Sequence, residues 1–493
     1  MTGADLLARI GQLETQARPL EPNSSERLAL REPVIDYAER FLEALKDLPA
    51  YHDTDDLGAG IWASTIGESP GEIGAVLDLL REHVDGPGLN PASAGHLAYI
   101  PGGGIYTSAL GDYLADVTNR YAGVLFGGPG AVRLENLVID WVRQVVGYPE
   151  SALGNHTSCG SVANMIALAT ARDAAGLTGK DYNRVVLYLT SQAHHCITKS
   201  LRFLGLGECV VRQVALDDRY RMRPDDLADQ IQKDRTSGLR PWVVVASAGS
   251  TDVGAIDPLD AIADVTTQEG IWFHVDGAYG GFFALTTDGA SLLKGMERSD
   301  SLVVDPHKTL FLPYGSGVLL VRDGAHLAAT HRYQANYMQD AAHVSDEPSP
   351  ADLSPELTRP FRALRLWLPL MVHGVGPFRA ALEEKMLLTK YFHEEVAKLG
   401  FWVGPPPELS VSVFRYIPER YRASDVEIDW DDVNAYNARL VREIRRDGRV
   451  FLSSTTLEGR FTIRLATVVH RTHLDTIRTT LAILEEIIER LGR

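Results

Sequence analysis

Lysine is scarce in this chain, with nine in 493 residues, and one of them has unusual neighbours. Lys308 follows the apolar run SLVV and the triplet Asp305, Pro306, His307, and it precedes Leu310 and Phe311. A solvated charge has little reason to sit there. A desolvated lysine shifts its pKa readily and can attack a carbonyl as a Schiff-base amine. In IWFHVDGAYGGFF a buried-looking strand ends at Asp276. Ligands of open α/β sheets gather outside the carboxyl ends of strands, and a carboxylate placed there must meet a cation or donors. In HTSCGSVANMIALATAR a turn leads into a helix predicted to begin near Val162. The unpaired N–H groups and dipole of such a terminus suit a phosphate at Gly160 and Ser161. In LTSQAHHCITKS, His194 and His195 follow the strand RVVLYLT. Each piece alone has an ordinary explanation: a serine N-cap, a structural ion pair, a surface imidazole.

Together the pieces are more specific. A phosphate cradle, an acid, an amine nucleophile and an imidazole, all at strand ends, are what pyridoxal phosphate requires. No metal-ligand spacing and no dinucleotide fingerprint competes with that reading.

Those groups need a sheet to hold them. RVVLYL, WVVVASA, IWFHVD, DSLVVD and SGVLLV read as strands separated by helical segments. Near-continuous apolar strands alternating with helices predict an α/β fold whose mostly parallel central sheet is covered on both faces. The sequence divides into an N-terminal helical segment, 1–105, a large α/β domain, 106–365, and a C-terminal small α+β domain, 366–493. In the first, SSERLALREPVIDYAERFLEAL has N-cap candidates at Ser24 and Ser25. In the last, VSVFRYI and RFTIRLA read as strands and THLDTIRTTLAILEEIIERL as a final amphipathic helix. The polar segment 338–356 reads as a surface loop or an active-site lid.

With 45% hydrophobic and 23% charged residues, the chain can bury a large core. Its net charge of −17 argues against a nucleic-acid binder or an anionic membrane surface. No apolar run approaches the roughly 18–20 residues of a spanning helix. Three cysteines, Cys159, Cys196 and Cys209, cannot form a disulfide scaffold. The N-terminus shows no secretory pattern, so the expectation is a reduced, cytoplasmic enzyme.

From about Asn90 onward the sequence resembles the group II pyridoxal phosphate-dependent decarboxylases, which include the aromatic-amino-acid and glutamate decarboxylases. HVDGAYGGF is similar to their His-Val-Asp-x-Ala-Tyr segment, and DPHK to their Asn/Asp-Pro-His-Lys segment. The resemblance implies a fold type I transferase-like architecture and assigns roles. Lys308 would carry the cofactor aldehyde, and Asp276 would pair with the ring nitrogen. His194, aligned through Gln-Ala-His, and Ala278 would lie against the ring. Gly160, Ser161 and His307 would hold the phosphate, and Thr251 would lie beside the cofactor. HRYQANYM resembles the start of the family's mobile loop, making Tyr337 rather than Tyr333 the proton donor. RPFRALRLW resembles its Arg-x-Phe-Arg segment, and AYIPGGG its substrate-pocket segment, placing Tyr99, Ile100 and Pro101, with Phe126, around the substrate. Three departures stand out: Cys159 and Val162 in the phosphate turn, and Asp305 where animal members commonly have Asn.

The resemblance implies decarboxylation of an L-amino acid, aromatic or bulky and apolar, by a homodimer with its sites at the interface. A glutamate-type decarboxylase, an oxidative aldehyde synthase and a carbon–carbon lyase are the alternatives within the same fold.

Overall fold

The computed structural model describes residues 2–100, 102–332, 347–423 and 426–492. A seven-stranded sheet forms the centre: β1 Leu153–Thr157, β2 Val185–Leu189, β3 Val210–Gln213, β4 Arg240–Ser247, β5 Trp272–Asp276, β6 Ser301–Val304 and β7 Gly317–Val321. Their spatial order is β1-β7-β6-β5-β4-β2-β3. Strands β6, β5, β4, β2 and β3 are mutually parallel, and β7 runs antiparallel to both its neighbours.

The strands lack polar alternation because helices cover both faces. Along β7, Val318 and Leu320 pack in the core with Val138, Ile139 and Val142 of α4 (Pro129–Val145). The alternate residues Leu319 and Val321 pack with Ala163, Ile166 and Ala167 of α5 (Gly160–Ala174). The period-2 geometry of a strand divides one apolar run between two helices.

The C-terminal part is an antiparallel sheet of β8 Phe401–Val403, β9 Val411–Tyr416, β10 Ser453–Leu457 and β11 Arg460–Ala466, in the order β8-β9-β11-β10. Phe392, Phe414, Leu440, Ile463 and Ile483 build its core with the helices Gly376–Lys398, Trp430–Asp447 and Leu474–Leu491. At the other end of the chain, α1 (Gly3–Ala17) and α2 (Ser24–Ala44) have no buried residue. Leu6, Leu7, Ile10 and Leu13 on α1 and Leu28, Leu30, Val34 and Ile35 on α2 are exposed.

The predicted strands appear within two residues of their expected limits. Two local readings change. The N-cap of α2 is Asn23 instead of Ser24 or Ser25, because its side chain accepts from the amides of both Ser25 and Glu26. Helix α5 begins at Gly160, two residues before Val162. A continuous helix, Ala363–His373, spans the position 365/366. Among the described residues no helix is long and apolar enough to cross a membrane.

Candidate active site

Parallel strands all end on one edge, and the chemistry-bearing residues follow those ends. Strand β6 stops at Val304, and a single helical turn, Pro306–Thr309, then carries His307 and Lys308. Lys308 Nζ lies 3.2 Å from Oδ2 of Asp305, whose side chain is 1% exposed. Burial by itself lowers the lysine's pKa, but the carboxylates of Asp305 and Asp276 more than offset this and hold it above the ordinary value. His307 Nε2 is 3.8 Å from the same Asp305 oxygen, and its Nδ1 meets the Ser316 carbonyl at 2.5 Å. Burial depresses the His307 pKa.

Strand β5 ends at Asp276, two places along the sheet edge from β2. The Ala278 amide donates to Asp276 Oδ1 at 3.1 Å, and Asn164 Nδ2 donates to Oδ2 at 3.2 Å. His194 follows β2 by five residues; its Nδ1 accepts from the Cys196 amide at 3.2 Å, which puts any ring proton of the neutral form on Nε2. Burial lowers its pKa, and the nearby Asp276 partly opposes that.

The start of α5 forms another wall, and Ser247, Gly249, Ser250 and Thr251 at the end of β4 a further one. The N-cap of α5, Cys159, makes no side-chain capping bond, which leaves the amides of Gly160 and Ser161 for a ligand. Only glycine fits at 160: an added Cβ would lie 2.7 Å from Asp305 Oδ2 and 3.2 Å from the Ala278 methyl.

These elements enclose a cavity of about 220 Å³. Gly160, Ser161, His194, Thr251, Asp276, Ala278, His307 and Lys308 all line it, so the expected cofactor residues meet around one space. Asn164, Cys196, Ser250, Tyr279 and Asp305 line it too, beyond the sequence reading. Polar residues inside apolar segments were the available signal, notably the asparagine of SVANMIALA.

Of the expected substrate residues, Tyr99, Ile100 and Phe126 do not line this cavity. Ile100 is buried in the main core. Tyr99 is 51% exposed and packs edge-on to Phe451, and Phe126 is 56% exposed. Pro101 and Tyr337 lie outside the described residues. The end of the expected lid is held to the body: Ser349 Oγ accepts from the Leu125 amide, and the Pro350 carbonyl accepts from Asn155 Nδ2. In the Arg-x-Phe-Arg segment, Arg359 and Arg362 pair with Glu135 and Glu356 at 2.6 Å each, so both serve as buried struts.

One arginine has a different setting. Arg464 on β11 is 5% exposed and donates to the carbonyls of Asp252 and Ala98 and to Ser453 Oγ. Among the described residues its buried Nη2 has no hydrogen-bond partner.

The donor set fits pyridoxal phosphate. There is an amine for the aldehyde, a carboxylate pinned by two N–H groups for the ring nitrogen, and an uncapped helix terminus beside an imidazole for the phosphate. Comparison with known proteins agrees. The sequence pattern described as the pyridoxal-dependent decarboxylase conserved domain matches residues 90–417. The chain is 32% identical over 476 residues to the aromatic-L-amino-acid decarboxylase of Bacillus atrophaeus, covering 96% of this chain and 98% of that one. It is 35% identical over 404 residues to the L-2,4-diaminobutyrate decarboxylase of Rhizobium meliloti (strain 1021), covering 80% and 79%. The crystal structure of Oryza sativa TDC with PLP and tryptamine shares the fold, with a TM-score of 0.88 at 24% identity over 96% of this chain and 99% of that one.

Proposed function

The chain belongs to the pyridoxal-dependent decarboxylase family and is a pyridoxal phosphate-dependent amino acid decarboxylase, and from that premise we propose that its substrate is an aromatic or bulky apolar L-amino acid, released as the amine and carbon dioxide. The observation that carries this reading is the meeting of Lys308, Asp276 and His194 around one cavity at the ends of three parallel strands. The likeness to an aromatic-L-amino-acid decarboxylase along nearly the whole chain supports the substrate class.

When bound, pyridoxal phosphate supplies a conjugated ring that accepts the electron pair left as the Cα–carboxylate bond breaks. Lys308 would be the residue that holds it, through its aldehyde. Gly160, Ser161 and His307 would hold the phosphate, with Thr251 beside the cofactor. Asp276 would pair with the ring nitrogen, an opposite-charge contact that would favour the protonated ring. His194 and Ala278 would lie against the ring. Tyr337 returns a proton to the substrate Cα, general acid catalysis worth about 10²–10⁴-fold.

The working molecule in this reading is a cytoplasmic homodimer with its sites at the interface. The unburied apolar faces of α1 and α2 support it, as does the exposure of Tyr99 and Phe126, which with Ile100 and Pro101 would complete a substrate pocket across the two subunits. The division 1–105, 106–365 and 366–493 then separates a dimerisation segment from the cofactor domain and the small domain. Light scattering that returns a monomer counts against this part.

A second reading concerns the substrate's side chain. Arg464, which reaches the carbonyls of Asp252 and Ala98 beside Thr251 and Tyr99, would be the cation for an additional carboxylate in a glutamate-type substrate. One experiment separates the two. The purified enzyme, saturated with cofactor, is incubated with each common L-amino acid and the amines are read by mass spectrometry, with Lys308→Ala as control. Amine from Phe, Tyr or Trp, absent from the control, supports the aromatic reading. Amine from Glu or Asp alone replaces it with the second, and no amine from any of them removes both.

A further inference from the structure

Behind Asp276 a line of hydrogen bonds enters the core with one self-consistent direction, and we infer that Asn164 and His274 are positioning residues that set the orientation of the Asp276 carboxylate. The Trp272 indole N–H can only donate, and it donates to Ser301 Oγ at 2.9 Å. Ser301 Oγ lies 2.8 Å from His274 Nδ1, and His274 Nε2 lies 2.6 Å from Asn164 Oδ1. Asn164 Nδ2 then donates to Asp276 Oδ2 at 3.2 Å.

The chemistry of each atom forces the order. An ionised carboxylate only accepts, so the asparagine amide must turn its NH₂ towards Asp276 and its carbonyl towards His274. That carbonyl also only accepts, so His274 carries its proton on Nε2. Neutral imidazole then offers Nδ1 as an acceptor for the Ser301 hydroxyl, whose oxygen is free to accept from Trp272. His274 and Ser301 are fully buried and Asn164 is 1% exposed, so water does not compete. Burial lowers the His274 pKa to about 4, which keeps the ring in the neutral form that the chain of bonds needs. With the Ala278 amide on Oδ1, each carboxylate oxygen receives a fixed donor.

The placement in the fold gives the relay a second consequence. His274 and Ser301 are paired neighbours on β5 and β6, and Asn164 stands one turn into α5. The helix whose N-terminus faces the cavity with Gly160 and Ser161 therefore also grips the acid at the far side of the same cavity. One rigid element sets the spacing between the phosphate end and the ring-nitrogen end of the cofactor's seat.

The inference rests on the reading of Asp276 as the ring nitrogen's partner, and the test separates the two. Cofactor is resolved from the purified enzyme, and pyridoxal phosphate is titrated back while its absorption band and near-UV circular dichroism are followed. Asn164→Asp keeps the shape but faces Asp276 with an acceptor. It is expected to weaken cofactor binding by about 10- to 100-fold, the loss of one charge-assisted hydrogen bond, and to shift the bound-cofactor spectrum. His274→Leu is expected to weaken binding about tenfold, whereas His274→Gln, which retains an N–H for Asn164, is expected to stay within about threefold of wild type. Wild-type affinity and spectrum in both Asn164→Asp and His274→Leu overturn the relay. Equal losses in His274→Gln and His274→Leu also overturn it, because packing would then explain the effect. If Asn164→Asp does not fold, the two His274 variants decide alone. Asp276→Ala is run beside them. Retention of cofactor at wild-type affinity in that variant removes the role of Asp276, and the relay with it; loss there, with silent Asn164 and His274 variants, removes the relay only.

Discussion

The strut behind the phosphate-side turn offers the sharpest energetic test. Arg359 and Glu135 form an ion pair at 2.6 Å with side chains 0% and 1% exposed. Glu135 lies on α4, and its Oε1 also accepts from the His156 amide at 3.3 Å. Arg359 donates to the His156 carbonyl, which Arg362 reaches as well at 3.3 Å. The pair therefore ties α4 to β1, the strand that runs into Cys159 and Gly160. Arg359→Leu leaves Glu135 buried without its cation, a change that costs about 3–5 kcal/mol. The His156 carbonyl keeps Arg362, so that bond adds less than about 1 kcal/mol. Removing both charges, as in Glu135→Met with Arg359→Leu, is expected to recover most of the loss, with a residue of about 1–2 kcal/mol from the unpaired His156 amide. The pH dependence has a definite sign. Burial holds the Glu135 carboxyl above its ordinary value even beside Arg359. An acid whose folded pKa is raised contributes stability in full below its unfolded pKa of about 4.3, and that contribution is lost as pH rises through the folded value. Arg359→Leu raises the folded value further, so the variant should be less destabilised at pH 5.5 than at pH 8. Urea unfolding of wild type, both single variants and the double variant at these two pH values provides the measurement. A single-variant loss below about 1 kcal/mol, or a double variant as unstable as the sum of the two single losses, refutes the reasoning.

Three further outcomes are expected. Gly160→Ala places a methyl group within 2.7 Å of the Asp305 carboxylate; it should cost about 1–3 kcal/mol of stability through overpacking and weaken cofactor binding about tenfold, read by urea unfolding and cofactor titration. His274, fully buried with a pKa lowered to about 4, contributes stability that is complete above about pH 6.5 and declines as pH falls towards that value. The loss should reach roughly 3 kcal/mol, and His274→Gln should flatten this part of a stability-against-pH curve measured on the cofactor-free protein. Tyr337→Phe should divert product from amine to the aldehyde when oxygen is present. Amine as the sole product of that variant moves the proton donor elsewhere.

The strands and the lysine, acid and histidine at their ends were legible because each depends on local pattern: an apolar run, a breaker, then a polar residue where a sheet edge meets solvent. Strand β1 was not. LGNHT carries few branched or aromatic residues, and it becomes a strand because β7 pairs with it and α4 covers it. Asn164 escaped for a related reason. It lies in an apolar helical repeat and acquires a partner only when α5 packs across β5. Arg464 sits in RFTIRLA, where strand alternation makes an arginine unremarkable until the small domain closes over residues 98 and 252. Long-range pairing, not propensity, decides all three. Asn23 shows the opposite scale: the choice among three adjacent capping residues turns on which side chain reaches two amides.

The seat for the cofactor is assembled from segments between Gly160 and Lys308 that come together only when the sheet has formed. An unfolded chain offers none of it. A ligand that binds only the native form adds RT ln(1 + [L]/Kd) to its stability, about 2.7 kcal/mol at one hundred times Kd. Copies short of cofactor therefore open more often and are exposed to proteases in proportion, and a change of that size alters cellular abundance several-fold. Supply of one small molecule thus governs how many copies a cell retains, apart from how fast each copy works.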